Sequence, residues 1–283
     1  MIGQPDFEQN PVFNRDKDKY SSPMFLRSVL IGAVRHNQKN QPNQLLISLP
    51  ASHYRDEEVK ATLKKLVGEH LVTINGKDHN VQVTKVHTLL QPLGAIFDVV
   101  MNPDGTIDEE YLNKTFVVVD IGFGTTDVAM IYIGKDGDIS LRKTLYVPYS
   151  MFDVYSNMWD QMQKDFPAFG SKILNAFKMD EELRDAPDDY VFEQAGIKVE
   201  NAGLLRKQMI KEVSGRIITH IKGNGISLEQ ADRVIFTGGG TEAMLSELKP
   251  HVEGVNASKT TDSQMSIVRG LYEYGKIITS VEV

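Results

Sequence analysis

Apolar residues recur along the chain at helical spacing in some stretches and in short unbroken runs in others, and the alternation between the two marks out its elements. From about Ser22 to His36, Met24, Phe25, Val29, Leu30 and Val34 keep the helical spacing, with Pro23 at an early position where a missing N–H does no harm. Leu45-Leu46-Ile47-Ser48-Leu49 is an apolar run stopped by Pro50, which reads as a buried strand. Val59, Leu63, Leu66 and Val67 give Arg55 to Val67 one apolar helical face, closed by Gly68. Leu71 to Ile74 and Val81 to Val86 flank Asn75-Gly76, a dipeptide suited to a tight hairpin turn. Pro92 opens a helix to about Met101, which Asn102-Pro103-Asp104-Gly105 stops.

The second half is more regular. Phe116 to Val119, Val128 to Ile133 and Leu141 to Val147 read as three strands of an antiparallel meander, joined by a Gly/Thr-rich turn and by Lys135-Asp136-Gly137-Asp138. A helix follows from Ser150 to about Phe166, then an acidic stretch from Asp180 to Asp189. Leu205, Met209, Val213, Ile217 and Ile221 form one stripe of a long helix from about Glu200 to Lys222. Val234-Ile235-Phe236 is a strand running into Gly238-Gly239-Gly240 and a helix from Glu242 to Leu248, and an amphipathic helix spans about Gln264 to Ile278. No short tandem repeat or low-complexity linker interrupts this plan.

Composition narrows the function classes. A length of 283 residues, 41% hydrophobic, suits a globular protein of two modest domains. No apolar run approaches the roughly 20 residues a bilayer-spanning helix needs, and Met1 to Asp6 has neither a basic nor an apolar leader segment. The expectation is therefore no membrane association and a cytoplasmic location. The absence of cysteine excludes disulfides, thiol chemistry and cysteine-ligated metal. A net charge of −7 without a basic tract argues against direct contact with nucleic acid. The cluster Asn14 to Lys19 alternates in sign and reads as a solvated turn, and the scattered histidines, with no pair four apart on a helix, read as surface residues rather than metal ligands.

Two turns carry candidate chemistry. Asp120-Ile121-Gly122-Phe123-Gly124-Thr125-Thr126-Asp127 lies between two strands. Its glycines let backbone N–H groups approach phosphate oxygens, Thr125 and Thr126 add hydroxyls, and the strand-end carboxylate of Asp120 could hold Mg²⁺ through water. The same residues also suit an ordinary glycine-rich hairpin. Phe236-Thr237-Gly238-Gly239-Gly240-Thr241-Glu242 joins a strand to a helix, where a flat ligand face or a phosphate can lie against bare backbone beside a helix N-terminus. A plain connection would need one glycine, not three.

Taken in order, these turns resemble the actin, DnaK-type chaperone and sugar-kinase superfamily, in which the first is the second phosphate loop and the other the adenosine motif. His87 to Ala95 resembles the connecting helix ahead of that phosphate loop, and Ser266 to Gly275 the closing helix after the adenosine motif. Within the superfamily, Gln44 to Gln91 and the Gly270-Leu271-Tyr272 helix are similar to the plasmid-segregation actins of the ParM/StbA type. The resemblance implies an α/β, ribonuclease-H-like two-domain fold with mixed sheets flanked by helices. Residues 1–114 would form a first domain and residues 115–283 a second, with the helix over 264–278 returning toward the first.

It also implies ATP (or GTP) and Mg²⁺ as cofactors. Asp120 would hold the metal's water cluster, Gly122, Gly124, Thr125 and Thr126 would contact phosphates, and Gly238, Gly239 and Gly240 would lie against the nucleoside. Gln91 stands where relatives orient the attacking water, although glutamine before proline at a helix start is unremarkable by itself. Phe123 departs from the family's usual glycine, and Asp127 reads as a cap of the turn. The implied activity is a filament-forming ATPase of plasmid DNA segregation, with its own copies and a DNA-bound centromere adaptor as partners. A small-molecule kinase or a non-polymerising regulator of the same fold remains open. The family's first phosphate clasp, an apolar strand followed by Asp-x-Gly, has no counterpart before Gly68, where the only glycines are Gly3 and Gly32. The first domain is thus expected to be incomplete, from a shortened start or from divergence, with half of the phosphate clasp absent, so that ATPase activity is expected only where that clasp is supplied.

Overall fold

The computed structural model describes residues 17–36, 41–169, 174–194 and 196–280. The polar stretch expected over residues 1–22 falls largely outside them, and Lys17–Ser21 forms a short 3-10 turn. The first elements are α1 (Pro23–His36), β1 (Asn43–Leu49), α2 (Glu57–Lys64), β2 (Gly68–Ile74), β3 (Lys77–Leu90) and α3 (Gln91–Val100). Asp56 caps α2, accepting from the N–H groups of Glu58 and Val59. Asn75 and Gly76 both take positive φ (51° and 76°), as a two-residue hairpin between right-twisted strands requires. The second half of β3 pairs in parallel with β1, so Leu49 and Leu90 end side by side and the chain leaves both strands at the same edge.

The sheet order is β1-β3-β2, which corrects the reading of Leu45 to Leu49 as a fully buried strand. Leu45 to Ser48 are half-buried and only Leu49 is buried. A continuous apolar run is the pattern of a parallel strand with neighbours on both sides. Among the described residues β1 has one.

The remaining elements are β4 (Lys114–Ile121), β5 (Thr126–Ile133), β6 (Ile139–Val147), α4 (Met151–Asp165), α5 (Ala176–Leu183), β7 (Phe192–Gln194), β8 (Ile197–Val199), α6 (Ala202–Gly223), β9 (Arg233–Thr237), α7 (Thr241–Leu248), β10 (Asn256–Lys259) and α8 (Ser266–Ser280). They build a five-stranded mixed sheet, β10-β9-β4-β5-β6, in which β4, β5 and β6 form the expected antiparallel meander and β9 and β10 run parallel to β4. Alternate residues of β4 serve opposite faces. Val117, Val119 and Ile121 pack under α4, α6 and α7, while Phe116 and Val118 join the core beneath α3 and α8.

Helix α8 crosses α3 at backbone contact. A Cβ on Gly270 would lie 1.8 Å from the Gly94 carbonyl oxygen, and Arg269 clasps Asp98 with two hydrogen bonds of 2.8 Å. No helix among the described residues is long and apolar enough to cross a membrane.

Candidate functional site

The register of the five-stranded sheet brings the two glycine turns together. In β4 and β5, Asp120 stands opposite Asp127 and Ile121 opposite Thr126, leaving Gly122 to Thr125 as the turn, closed by Gly122 N–H to Thr125 O at 2.8 Å. In β4 and β9, Asp120 stands opposite Thr237, so Gly238 emerges beside the carboxylate. Gly238 has φ +88°, and a Cβ there would lie 2.4 Å from Asp120 Oδ1 and from Ile121 O. A side chain is excluded twice, by conformation and by space. A Cβ on Gly240 would meet Ile121 and Met151 side chains at 2.8 Å, and its N–H donates to Ile121 O at 2.8 Å. Gly239 has open space around it and faces a cavity of about 660 Å³.

That cavity is walled by Gly238 to Gly240, by Phe123 and Met151, by Phe177, Asp180 and Arg184 of α5, and by Arg206 of α6. Its entrance to the first turn is fixed by aromatic packing. Phe123 stacks on Phe177 with ring centres 4.3 Å apart and planes 14° from parallel, and its carbonyl accepts from the Phe152 N–H at 2.7 Å. The residue that departs from glycine is therefore an anchor between the turn and α4 and α5. Phe123→Ala should lower stability by about 2 kcal/mol, read from the urea midpoint, and weaken any ligand held by the turn.

Asp120 and Asp127 are both buried. Loss of hydration, and then the neighbouring Asp127 charge, push the Asp120 carboxyl up to about 8. Burial also pushes Asp127 up, to about 6, against the N–H of Ala51, the Thr125 hydroxyl and the Lys19 charge. Asp127 does cap the turn as expected, accepting from Thr125 Oγ1 at 3.1 Å. It also reaches across to the end of β1, where Ala51 N–H donates to its other oxygen at 2.7 Å. Gln91, half-buried, opens α3 at the end of the neighbouring strand β3.

Of the residues expected from sequence, Gly238, Gly239 and Gly240 line the cavity, while Asp120 and the Gly122 to Thr125 turn adjoin Gly238 through the sheet register and Gln91 lies outside the lining. Thr126 is fully buried, and its hydroxyl has no hydrogen-bond partner among the described residues, so it does not stand on the cavity wall. Missed by sequence is a network that includes Asp180, Arg184 and Arg206 of the cavity lining. Tyr155 donates to Asp180 at 2.6 Å, Arg206 Nε donates to Tyr155 Oη at 3.0 Å, and Arg184 pairs with Asp180. One signal was present, a charged residue, Arg206, four residues before the buried Ile210 on the inward face of α6.

The residues present fit a nucleotide with its divalent ion. Gly239 presents bare backbone to the cavity with nothing within 4 Å of an added Cβ, while Gly238 and Gly240 are required by the packing of the turn against Asp120, Ile121 and Met151. No described cation pairs directly with the buried carboxylate of Asp120. No group of three or more potential metal ligands occurs among the described residues.

Comparison with known proteins agrees with this geometry. Residues 2–94 match the family model described as actin-like proteins N-terminal domain, and residues 118–250 match that of the archaeal actin homologue MreB-like C-terminal domain. A search of curated protein sequences returns no match. Among solved structures, a non-polymerisable quadruple mutant of pCBH ParM superposes with a TM-score of 0.72 at 20% identity, covering 93% of this chain and 78% of that one. A subunit of a 15-stranded ParM filament from Clostridium botulinum gives 0.69 at 18% identity, with 93% and 76% covered. The ADP complex of Ta0583, an archaeal actin homologue, gives 0.62 at 14% identity, with 91% and 79% covered. At these identities the likeness establishes the fold.

Proposed function

The chain belongs to the actin-like superfamily, and from that premise we propose that it is a nucleoside triphosphatase that assembles into filaments, acting in the cytoplasm in plasmid DNA segregation. The observation that supports the reading is that Asp120 and the Gly122 to Thr125 turn stand beside the Gly238 to Gly240 turn, which with Phe123 lines one cavity. Residues 1–114 and 115–283 act as the two domains flanking the nucleotide.

In this reading Gly122, Gly124 and Thr125 hold phosphates by backbone and hydroxyl donors, and the glycines of the second turn lie against the nucleoside. Asp120 would hold a Mg²⁺ ion bound with ATP or GTP, which would supply neutralisation of phosphate charge. Gln91 orients the water that attacks the terminal phosphate, while Asp127, bonded to Ala51, keeps the end of β1 against the phosphate loop. Catalysis is then positioning and electrostatic stabilisation. Filaments of a relative, and the acidic charge of this chain, support self-association and an adaptor protein as the link to DNA.

Sedimentation with and without nucleotide tests the assembly directly. The wild-type chain should pellet with a Mg²⁺ triphosphate and be released as phosphate appears. Gln91→Ala should pellet and stay pelleted, its phosphate release slowed about tenfold or more. Binding without pelleting at any concentration would remove the filament from the proposal.

A further inference from the structure

Arg206 is a guanidinium nine-tenths buried in the cavity wall, with 8% of its surface exposed. Such a group has five N–H donors and is costly to bury without acceptors. Nε is fixed on Tyr155 Oη at 3.0 Å, with the guanidinium carbon 5.9 Å from the Tyr155 ring centre. Tyr155 is in turn held by Asp180, whose carboxylate also takes Arg184. No carboxylate forms an ion pair with Arg206 among the described residues, and neither Nη group donates a hydrogen bond to any of them. The fork is oriented from behind by a tyrosine and left with its paired Nη donors to satisfy.

Its place in the cavity says what could satisfy it. In the nucleotide reading the phosphates lie at Asp120 and the Gly122 to Thr125 turn, which adjoin Gly238. Arg206 lines the same cavity together with Phe177, Asp180 and Arg184 of α5, and the Tyr155 that holds it lies 6.3 Å, ring centre to ring centre, from Phe123. A nucleotide with phosphates at the first turn and its ribose along Gly238 to Gly240 presents its base there. Guanine and hypoxanthine offer two acceptors side by side, O6 and N7, which match a guanidinium fork. Adenine offers N7 beside an amino group that is itself a donor.

We propose that Arg206 reads the edge of the base, so that this site takes a 6-oxopurine nucleoside triphosphate in preference to ATP. The proposal rests on the nucleotide reading of the cavity given above and names its substrate class. A buried donor left facing another donor loses its acceptor altogether, so the preference is for the base that satisfies it.

Calorimetric titration of the Mg²⁺ complexes of GTP, ITP, 7-deaza-GTP and ATP tests this on the wild-type chain, with Arg206→Leu and Arg206→Lys beside it. GTP and ITP should bind at least about tenfold more tightly than ATP, and loss of N7 in 7-deaza-GTP should weaken binding several-fold relative to GTP. Arg206→Leu should bring GTP and ITP down to the level of ATP while ATP changes little. Arg206→Lys should not restore the preference, because one ammonium cannot form the fork. Equal or tighter binding of ATP by the wild-type chain overturns the assignment, as does a uniform weakening of all four ligands in Arg206→Leu. The wild-type series decides the matter even where a variant fails to fold. Binding of none of the four overturns the nucleotide reading itself, whereas binding of all with no preference overturns only the role of Arg206.

Discussion

Asp120→Asn should lower divalent-dependent phosphate release by about a hundredfold or more and, in the ligand-free protein, raise the thermal midpoint at alkaline pH. The two effects have one cause. Burial and the Asp127 charge hold the Asp120 carboxyl up at about 8, against an ordinary value of 3.8. A folded-state value above the unfolded one means that the site's contribution to stability is full below about pH 4 and is lost as pH rises through about 8. Above that the folded protein carries a buried carboxylate whose ionisation the unfolded chain accepts freely, a difference of roughly a few kcal/mol. Asparagine keeps the shape and removes the charge, so the variant should melt higher than wild type from about pH 8 upward. The gap should shrink as pH falls toward 4.

Asp127 works in the same direction over a lower range, up to about 6, so wild-type stability should already begin to decline in the mildly acidic region. Only the step reaching toward pH 8 should vanish in Asp120→Asn. On the role proposed for Asp120 the sign should reverse in the presence of nucleotide and Mg²⁺, because the charge that destabilises the free protein would then hold the ion. Wild type should gain stability from the ligand and the variant little, with phosphate release down by about a hundredfold or more. Melting curves run in parallel across pH for both proteins would show that Asp120 ionises as an ordinary surface carboxylate, and its assignment would fail with them.

How much of this was legible in the sequence depends on the range over which each feature is determined. The meander of β4, β5 and β6 follows from local apolar runs and their turns, and the glycine turns are visible as residue types. The hairpin at Asn75-Gly76 is likewise a local matter of two residues at positive φ. That the two glycine turns meet follows from the parallel pairing of β4 with β9, a contact between residues more than a hundred positions apart that no local pattern encodes. β10, Asn-Ala-Ser-Lys, has no apolar period to find, and β7 and β8 are three residues each.

Two other misses were avoidable. Ala176, Met179 and Leu183 have helical spacing and form the buried face of α5, although the acidic residues that begin at Asp180 obscure it. On α6 the expected stripe is buried at Val213, Ile217 and Ile221, with Leu205 and Met209 half-buried against the same core, but the inward face also takes in Ala202, Arg206 and Ile210, which the stripe left out. A charged residue on an inward face is the pattern of a side chain that something else must satisfy.

The crossing of α3 and α8 sets up the largest expected loss of stability. Gly270→Ala would place a Cβ 1.8 Å from the Gly94 carbonyl oxygen and 2.6 Å from the Asp98 N–H nitrogen. Both are backbone atoms, so no side chain can turn aside, and the helices must separate. Three interactions resist that separation: the paired hydrogen bonds of Arg269 to Asp98, the Phe97–Tyr274 stack with centres 4.5 Å apart, and the approach of Gly94 to the Ile267 carbonyl. Unfolding in urea should show a loss of about 3 kcal/mol or more. Gly275→Ala lies on the same helix with nothing within 4 Å of the added methyl, and should be neutral or stabilising by up to about 1 kcal/mol. The contrast separates the crossing from helix propensity. It also bears on the cleft, because Gln91 begins α3 and the cavity-lining residues Ser263 and Gln264 lead directly into α8. Forcing the crossing apart should therefore weaken nucleotide binding along with stability. A Gly270→Ala protein that melts like wild type would mean that the two helices are not in backbone contact.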